Sequence, residues 1–261
     1  MSAEWIGFRT LLKKECLRFY KVVGQTILSP LVNAGLYLLV FGVSFSSMLK
    51  MPGGFSYLEF LVPGLIALSS LNNALQNSSS SVMISKFHGD LQDLKIIPIS
   101  SCAITAAYSL ASVVRGLGVA VLVLLLGEAF SYFQSQSFIV IQHPLGCLVF
   151  LVMSCMVFGN LGIISGFTAK SFDQINSFTN FIILPLIYLG GVFFSLKILS
   201  PFWQRMDQFN PIVYIINGIR WGVLGVSDIS VLYSFTVLSG FVLLTSGLAW
   251  YAVKYGSYQR F

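Results

Sequence analysis

A helical membrane protein with about six spans is the fold class that this sequence predicts. Three observations carry it. Hydrophobic residues make up 56% of the 261 positions and charged residues 9%, too little charge to cover the surface of a water-soluble domain. The apolar residues gather in runs, several of which reach the roughly 20 residues that cross about 30 Å of hydrocarbon as a helix. Short polar joints separate these runs along the whole chain, and the mean hydropathy is +0.84. Residues 1–261 therefore read as one transmembrane domain.

Residues 1–21 predict an amphipathic helix in the membrane interface. Trp5, Phe8, Leu12, Cys16 and Phe19 recur at three- and four-residue steps. Arg9, Lys13, Lys14, Arg18 and Lys21 fill the other positions, so the apolar side faces lipid and the cations face headgroups. This start is polar and basic and lacks the short apolar core of a cleavable signal. Spans follow at 26–48, 57–84, 102–126, 144–168, 175–195 and 231–253. Residues 86–100 form the main internal loop. Residues 196–230 are apolar in their second half but too short for a further crossing, and predict an external re-entrant or interfacial helical hairpin.

Orientation follows from the cations. With an even number of spans, Arg9, Lys13, Lys14, Arg18, Lys21, Lys86, Lys95, Lys170, Lys254 and Arg260 share one side, against Lys50, Lys197, Arg205 and Arg220 on the other. Both termini are thus expected in the cytoplasm and the hairpin outside, where Phe202, Trp203, Phe209, Tyr214 and Trp221 suit the outer interface. The net charge of +6, distributed this way, points to the cytoplasmic membrane surface and lipid headgroups, not to nucleic acid.

The second span is the least lipid-like. Ser69, Asn72, Gln76, Ser79 and Met83 share one helical face, with Asn73 and Asn77 beside them. Unpartnered polar groups cost several kcal/mol each in hydrocarbon, so this face must meet water or protein. It predicts a substrate path, or an interhelical hydrogen-bonded seam at a dimer interface. Arg115 lies in mid-span, where an arginine costs roughly 2.5–3.5 kcal/mol on insertion scales. It should face the bundle interior, with the polar face as its partner, as a structural clamp or a pathway charge. In the internal loop, Asp90, Leu91, Asp93, Leu94, Lys95 and Ile96 predict a short helix ended by Pro98, suited to docking into a partner's groove. Lys170 and Asp173 occupy a second internal loop. Small-residue steps at Gly162/Gly166 and Gly218/Gly222 permit close helix contacts.

Other chemistry finds little support. The nearest approach to a phosphate-binding loop, GIISGFTAKS at 162–171, has Ala169 where a glycine is needed. Cys16, Cys102, Cys147 and Cys155 lack metal or redox spacing and read as packing residues. His88 and His143 stand alone, so no metal site is expected, and no nucleophile has a base. Glu59 and Glu128, near outer span ends, carry no proton-relay signal.

Five stretches in order carry a resemblance: FSYLEFLVPGLIALS (55–69), KFHGDLQDLKIIPIS (86–100), AKSFDQIN (169–176), PLIYLGGVFFSLKILSPFWQ (185–204) and NPIVYIINGIRWGVLG (210–225). With them the chain resembles the permease subunit of ABC-2 type transporters, most of all compact bacterial inner-membrane permeases beside drug, polysaccharide and nodulation-factor exporters. His88-Gly89-Asp90 stands where relatives often carry a more charged lead-in. The resemblance implies a pair of permeases, here expected to be a homodimer, joined to two copies of a separate ATPase. ATP and Mg would sit on that ATPase, with no cofactor on this chain and no catalytic residue. It implies that the N-terminal helix and the 86–100 loop contact the ATPase, with Asp90–Ile96 as coupling helix. It further implies that Pro63 and Gly64 break or bend the second span, and that Asn210, Pro211, Tyr214 and Arg220 belong to a motif in a hairpin capping the exit. The function implied is ATP-driven export of an amphiphilic, glycan- or lipid-linked, or drug-like substrate by alternating access, along a path lined by the second and fifth spans. Two rival readings are a channel or carrier not driven by ATP, and an integral membrane enzyme acting on lipid. A neighbouring ATPase gene would disfavour the first, and the second needs a cluster of His, Asp or Glu.

Overall fold

The computed structural model describes residues 3–21, 23–45, 54–94, 96–136, 138–256 and 258, with the side chains of residues 3, 19–21, 23, 25 and 135 excepted. Lys50, Lys95 and Arg260, and the side chains of Phe19 and Lys21, lie outside the described residues. Every regular element among those described is helical. Helix α1 (Ala3–Lys21) leads into α2 (Val23–Tyr37), which continues through a π-helical stretch, Leu38–Val43. Then come α3 (Tyr57–His88), the one-turn α4 (Asp90–Asp93), α5 (Ser101–Ser135) and α6 (Pro144–Thr168). The next span is assembled from α7 (Phe172–Phe178), a π turn (Thr179–Ile183), α8 (Leu184–Ile187) and a second π turn (Tyr188–Val192). A 3₁₀ turn (Leu196–Ile198), α9 (Pro201–Asp207) and α10 (Pro211–Leu224) precede α11 (Val231–Tyr255).

Six stretches are long and apolar enough to cross a bilayer: Thr26–Val43, Tyr57–His88, Ser101–Gln134, Pro144–Thr168, Phe172–Val192 and Val231–Tyr255. The predicted spans are all present, with shifted ends. Helix α5 runs well past 126, because residues 127–135 hold no breaker stronger than Gly127. It stops where Gln136 turns left-handed at φ 50°. Helix α3 starts at a capping box: Ser56 Oγ accepts from Glu59 N–H, and the Glu59 carboxylate accepts from Ser56 N–H. It ends at Gly89, φ 86°, a left-handed stop that suits glycine. Contrary to the expected break, α3 passes Pro63 without interruption. Gly64 serves a close approach instead: a Cβ there would stand 2.5 Å from the Val192 carbonyl oxygen.

Helix α3 is the axis of the bundle, with α5 and α6 packed along it. Its most apolar window is 89% buried, against 17% for α11, which lies at the periphery. The main core is built on Leu61, Leu65, Leu71, Phe150, Phe158 and Ile216. A second cluster closes one end of the bundle and joins Leu11 of α1, Leu91 of α4, Tyr108, Phe167, Val253 and Tyr258. The described N- and C-terminal segments therefore meet at the same end. The small-residue steps are used within the chain: Gly162 and Gly166 lie against α3 at Leu75 and Val82, and Gly218 and Gly222 against α6 at Phe150 and Cys147.

Candidate functional site: a polar groove beside the central helix

The polar face of α3 does not touch lipid-like core. It forms one wall of a groove of about 600 Å³, whose other walls are α2 and the α7–α8 span. Ser69, Asn72, Asn73, Gln76 and Ser79 of the predicted face all line it. Met83 does not: it is buried beside Ala169 and Ile175, and Ser80 and Ile84 take its place on the wall. Sequence reading pairs the second span with the fifth along the path, but it missed α2 and named no residue on either opposite wall. Thr26, Ser29, Asn33 and Tyr37 come from α2, and Asn176, Thr179, Asn180 and Tyr188 from the fifth span. On α2 they are scattered polar residues in an apolar run, and Asn176, Thr179 and Asn180 lie within three to four residues of one another, so a helical-wheel plot of those spans would have aligned them.

Arg115 reaches the groove from α5 and is almost fully buried. Its partners are those expected of it, on α3. Nε and Nη2 donate to Asn73 Oδ1 at 3.3 and 3.2 Å, and Nη1 to Asn77 Oδ1 at 3.5 Å. Asn77 Nδ2 in turn donates to Ser112 Oγ.

Arg18 departs from the expected arrangement. It turns into the protein, not out toward headgroups. Nη2 donates to the Asn77 carbonyl at 2.7 Å, Nη1 to Ser80 Oγ at 3.3 Å, and Nε pairs with Glu15 at 3.2 Å. The reason is Glu15, a buried carboxylate on α1 that the sequence reading passed over. It also accepts from Ser81 Oγ at 2.6 Å, so α1 is bolted to α3 by a paired charge. Arg9, Lys13 and Lys14 are exposed.

One end of the groove, near α1, is bounded by Arg18, Ile84 and Phe172. The other end closes on two hydroxyls, Tyr37 Oη and Tyr188 Oη, 3.1 Å apart. Phe193 packs on both of these rings, at 5.3 and 5.9 Å between centroids, and on Phe41 at 5.7 Å. Each tyrosine stands where its span loosens into a π-helical stretch, at Leu38–Val43 and Tyr188–Val192. Such stretches concentrate at functional positions because they misalign the backbone ladder.

The internal loop is shorter than expected as a helix. Among its described residues after Gly89 only Asp90–Asp93 is helical, and Leu91 is fully buried in the second cluster of this same chain. It anchors the loop and is closed to any partner. Asp90, Asp93 and Ile96 are exposed, and Leu94 is half-buried against the cluster. Beneath the loop, buried Lys86 donates to the carbonyls of Phe167 (2.7 Å) and Ala169 (3.4 Å), capping the C-terminus of α6. Lys170 and Asp173 are exposed beside it.

At the opposite end, the hairpin motif is a clamp. Asn210 Nδ2 donates to Leu186 O at 2.7 Å, and Pro211 begins α10. Arg220 is buried: Nη2 donates to Gly191 O at 2.6 Å, and the guanidinium lies 3.9 Å over the Phe60 ring. Its counter-charge is Asp228, 3.9 Å away, which also accepts from Ser195 Oγ and Leu196 N–H. Asn217 Oδ1 accepts from the backbone N–H of Asp228 and Ile229. Neither Asp228 nor Asn217 was legible as a partner. Tyr214 is buried, donating to Gln208 O, and Trp221 stacks on His143 at 4.3 Å. Only Phe202, Trp203 and Phe209 of the expected aromatics are broadly exposed.

Known proteins share this arrangement in sequence. A family profile described as ABC-2 type transporter matches residues 7–224. The chain is 36% identical to the inner membrane transport permease YadH of Escherichia coli K12 over 256 residues, 98% of each chain. It is 23% identical to nodulation protein J of Neorhizobium galegae over 235 residues, covering 85% of this chain and 82% of that one. It is 24% identical to nodulation protein J of Rhizobium leguminosarum bv. trifolii, covering 86% and 82%. By the family match and the end-to-end likeness to a transport permease, the chain belongs to the ABC-2 type transporter family, as a multi-pass inner-membrane permease of an ABC transporter that works with an ATPase partner.

Proposed function

We propose that this permease exports an amphiphilic, glycan- or lipid-linked, or drug-like substrate by alternating access. The substrate path is the groove between α2, α3 and the α7–α8 span. The single observation that carries this reading is the groove itself: about 600 Å³ lined by amides, hydroxyls and two arginines, cut into a bundle otherwise packed with apolar side chains. Such a concave polar surface at membrane depth is tolerated where it faces water or a polar ligand.

Both termini are cytoplasmic on this reading, which puts the α1 end of the groove inside and the Tyr37–Tyr188 end outside. The groove is then open inward and shut outward by the aromatic cluster around Phe193. The hairpin of α9 and α10 is re-entrant from the outer face. Two permeases, as a homodimer, stand on two ATPase subunits that bind ATP and Mg. The exposed Asp90, Asp93, Ile96, Lys170 and Asp173 contact the ATPase together with the exposed cations of α1. Leu91 and Leu94 hold that loop to α3 and α5, so a push on it is carried into the groove wall.

The test is to fill the groove. Gln76→Trp and Asn180→Trp are expected to lower substrate-stimulated ATP hydrolysis and transport at least tenfold in proteoliposomes holding permease and ATPase, while the complex still assembles. Transport unchanged in both variants would remove the groove from the path. Uptake into inverted vesicles, not into right-side-out ones, is the expected sign of export.

A further inference from the structure

The geometry points to an oxyanion on the substrate: the groove accepts a phosphate-, sulfate- or carboxylate-bearing head, held by Arg115. This deepens the path reading above and rests on it.

Among the groove-lining residues there are two arginines and no carboxylate. Arg18 has its counter-ion in Glu15, but Arg115 has no acidic group within salt-bridge distance among the described residues. A guanidinium carries five N–H donors, and Arg115 spends three, all on the amide oxygens of Asn73 and Asn77. Neutral amides orient a guanidinium without discharging it. Two donors remain beside the groove, on a buried cation at mid-span. A buried charge without an opposite charge is costly, and the N–H groups left over, one each on Nη1 and Nη2, suit an oxyanion as charge-assisted donors. A second feature gives the ligand a neutral part: the Asn72 side-chain oxygen is buried on the wall with no hydrogen-bond partner among the described residues. It needs a donor, which a hydroxyl or amide next to the anionic group supplies. Thr26, Ser29, Asn33, Asn176 and Asn180 offer further neutral contacts across the groove.

The experiment uses permease with its ATPase in nanodiscs and reads ATP hydrolysis against three probes: dodecyl phosphate, dodecyl maltoside and inorganic phosphate. Dodecyl phosphate is expected to stimulate the unsubstituted complex and the control Arg205→Gln, which loses an exposed cation elsewhere. Arg115→Gln raises its half-stimulating concentration on the order of tenfold or more, as loss of a charge-assisted contact should, and Arg115→Lys keeps most of the response. Asn73→Asp supplies the missing counter-ion with the arginine in place and also suppresses the response; it decides the matter if Arg115→Gln does not assemble. Stimulation by inorganic phosphate alone assigns the site to a free oxyanion, and stimulation by dodecyl phosphate alone to an amphiphile's head. The inference is overturned if dodecyl maltoside matches dodecyl phosphate, if neither dodecyl phosphate nor inorganic phosphate stimulates, or if Arg115→Gln and Asn73→Asp respond like the unsubstituted complex. Gln76→Trp separates the two levels. If it blocks both amphiphiles while phosphate shows no advantage, the anion site falls and the path stands; if it blocks neither, the path itself falls.

Discussion

Leu91 and Ile96 are five residues apart in one loop and have opposite fates. Leu91 is fully buried, while Ile96 is 83% exposed. Leu91→Ala should therefore cost about 2–5 kcal/mol of stability, seen as a lowered thermal midpoint of the purified permease. Ile96→Asp should leave that midpoint in place and weaken ATPase capture in a pull-down; retained capture would move the docking surface away from this loop. A buried pair behaves differently again. Asp228→Asn strips Arg220 of its only acidic partner within salt-bridge distance among the described residues, and leaving a buried cation unpaired typically costs about 3–5 kcal/mol. The expected result is a large fall in thermal midpoint, part of which Arg220→Met returns in the double variant. Sequence reading found Arg115 and its α3 partners because a mid-span charge must have company. It did not find Glu15 or Asp228, since a carboxylate near a span end looks the same whether wet or buried.

At the scale of elements, the two spans that face α3 across the groove are those that depart from regular α-helix. In each, one π-helical stretch begins at or just after a tyrosine, Tyr37 in the first and Tyr188 in the second. Gly191, at φ 89°, then ends the second of them in a conformation few other residues adopt. The hydroxyl pair closes the groove with one hydrogen bond plus ring packing, a contact of about 0.5–1.5 kcal/mol in its polar part. Tyr188→Phe should thus loosen the closed end without unfolding the span. The expected signature is a basal ATPase rate raised about two- to tenfold with the thermal midpoint shifted little; an unchanged basal rate would make the pair a packing contact. The polar tract on α3 was legible because ten hydrophilic residues between 69 and 81 interrupt one apolar run. The particular residues on α2 and the fifth span were not, because a few hydroxyls and amides fall within the noise of an ordinary span.

For the whole molecule, the described ends meet in one cluster, as an even number of crossings requires. In intact cells, cysteines placed at Lys170 and Lys254 should resist a membrane-impermeant maleimide, and those at Lys197 and Gln204 should react. The reverse pattern would invert the orientation. Native Cys102, exposed at the α1 end, should follow Lys170. Cys16 should stay unreactive at neutral pH, since burial and then the Glu15 carboxylate push its thiol up and keep it protonated. The sequence alone determined the class, the count of spans, their order and the family, because crossing hydrocarbon imposes a length and composition on each segment that no partner can relax. Only the tertiary structure decided which polar residues share a groove, that Arg18 turns inward, and that Leu91 is core. Those outcomes depend on how helices rotate about their axes when packed, and that rotation is set by side chains distant in the chain.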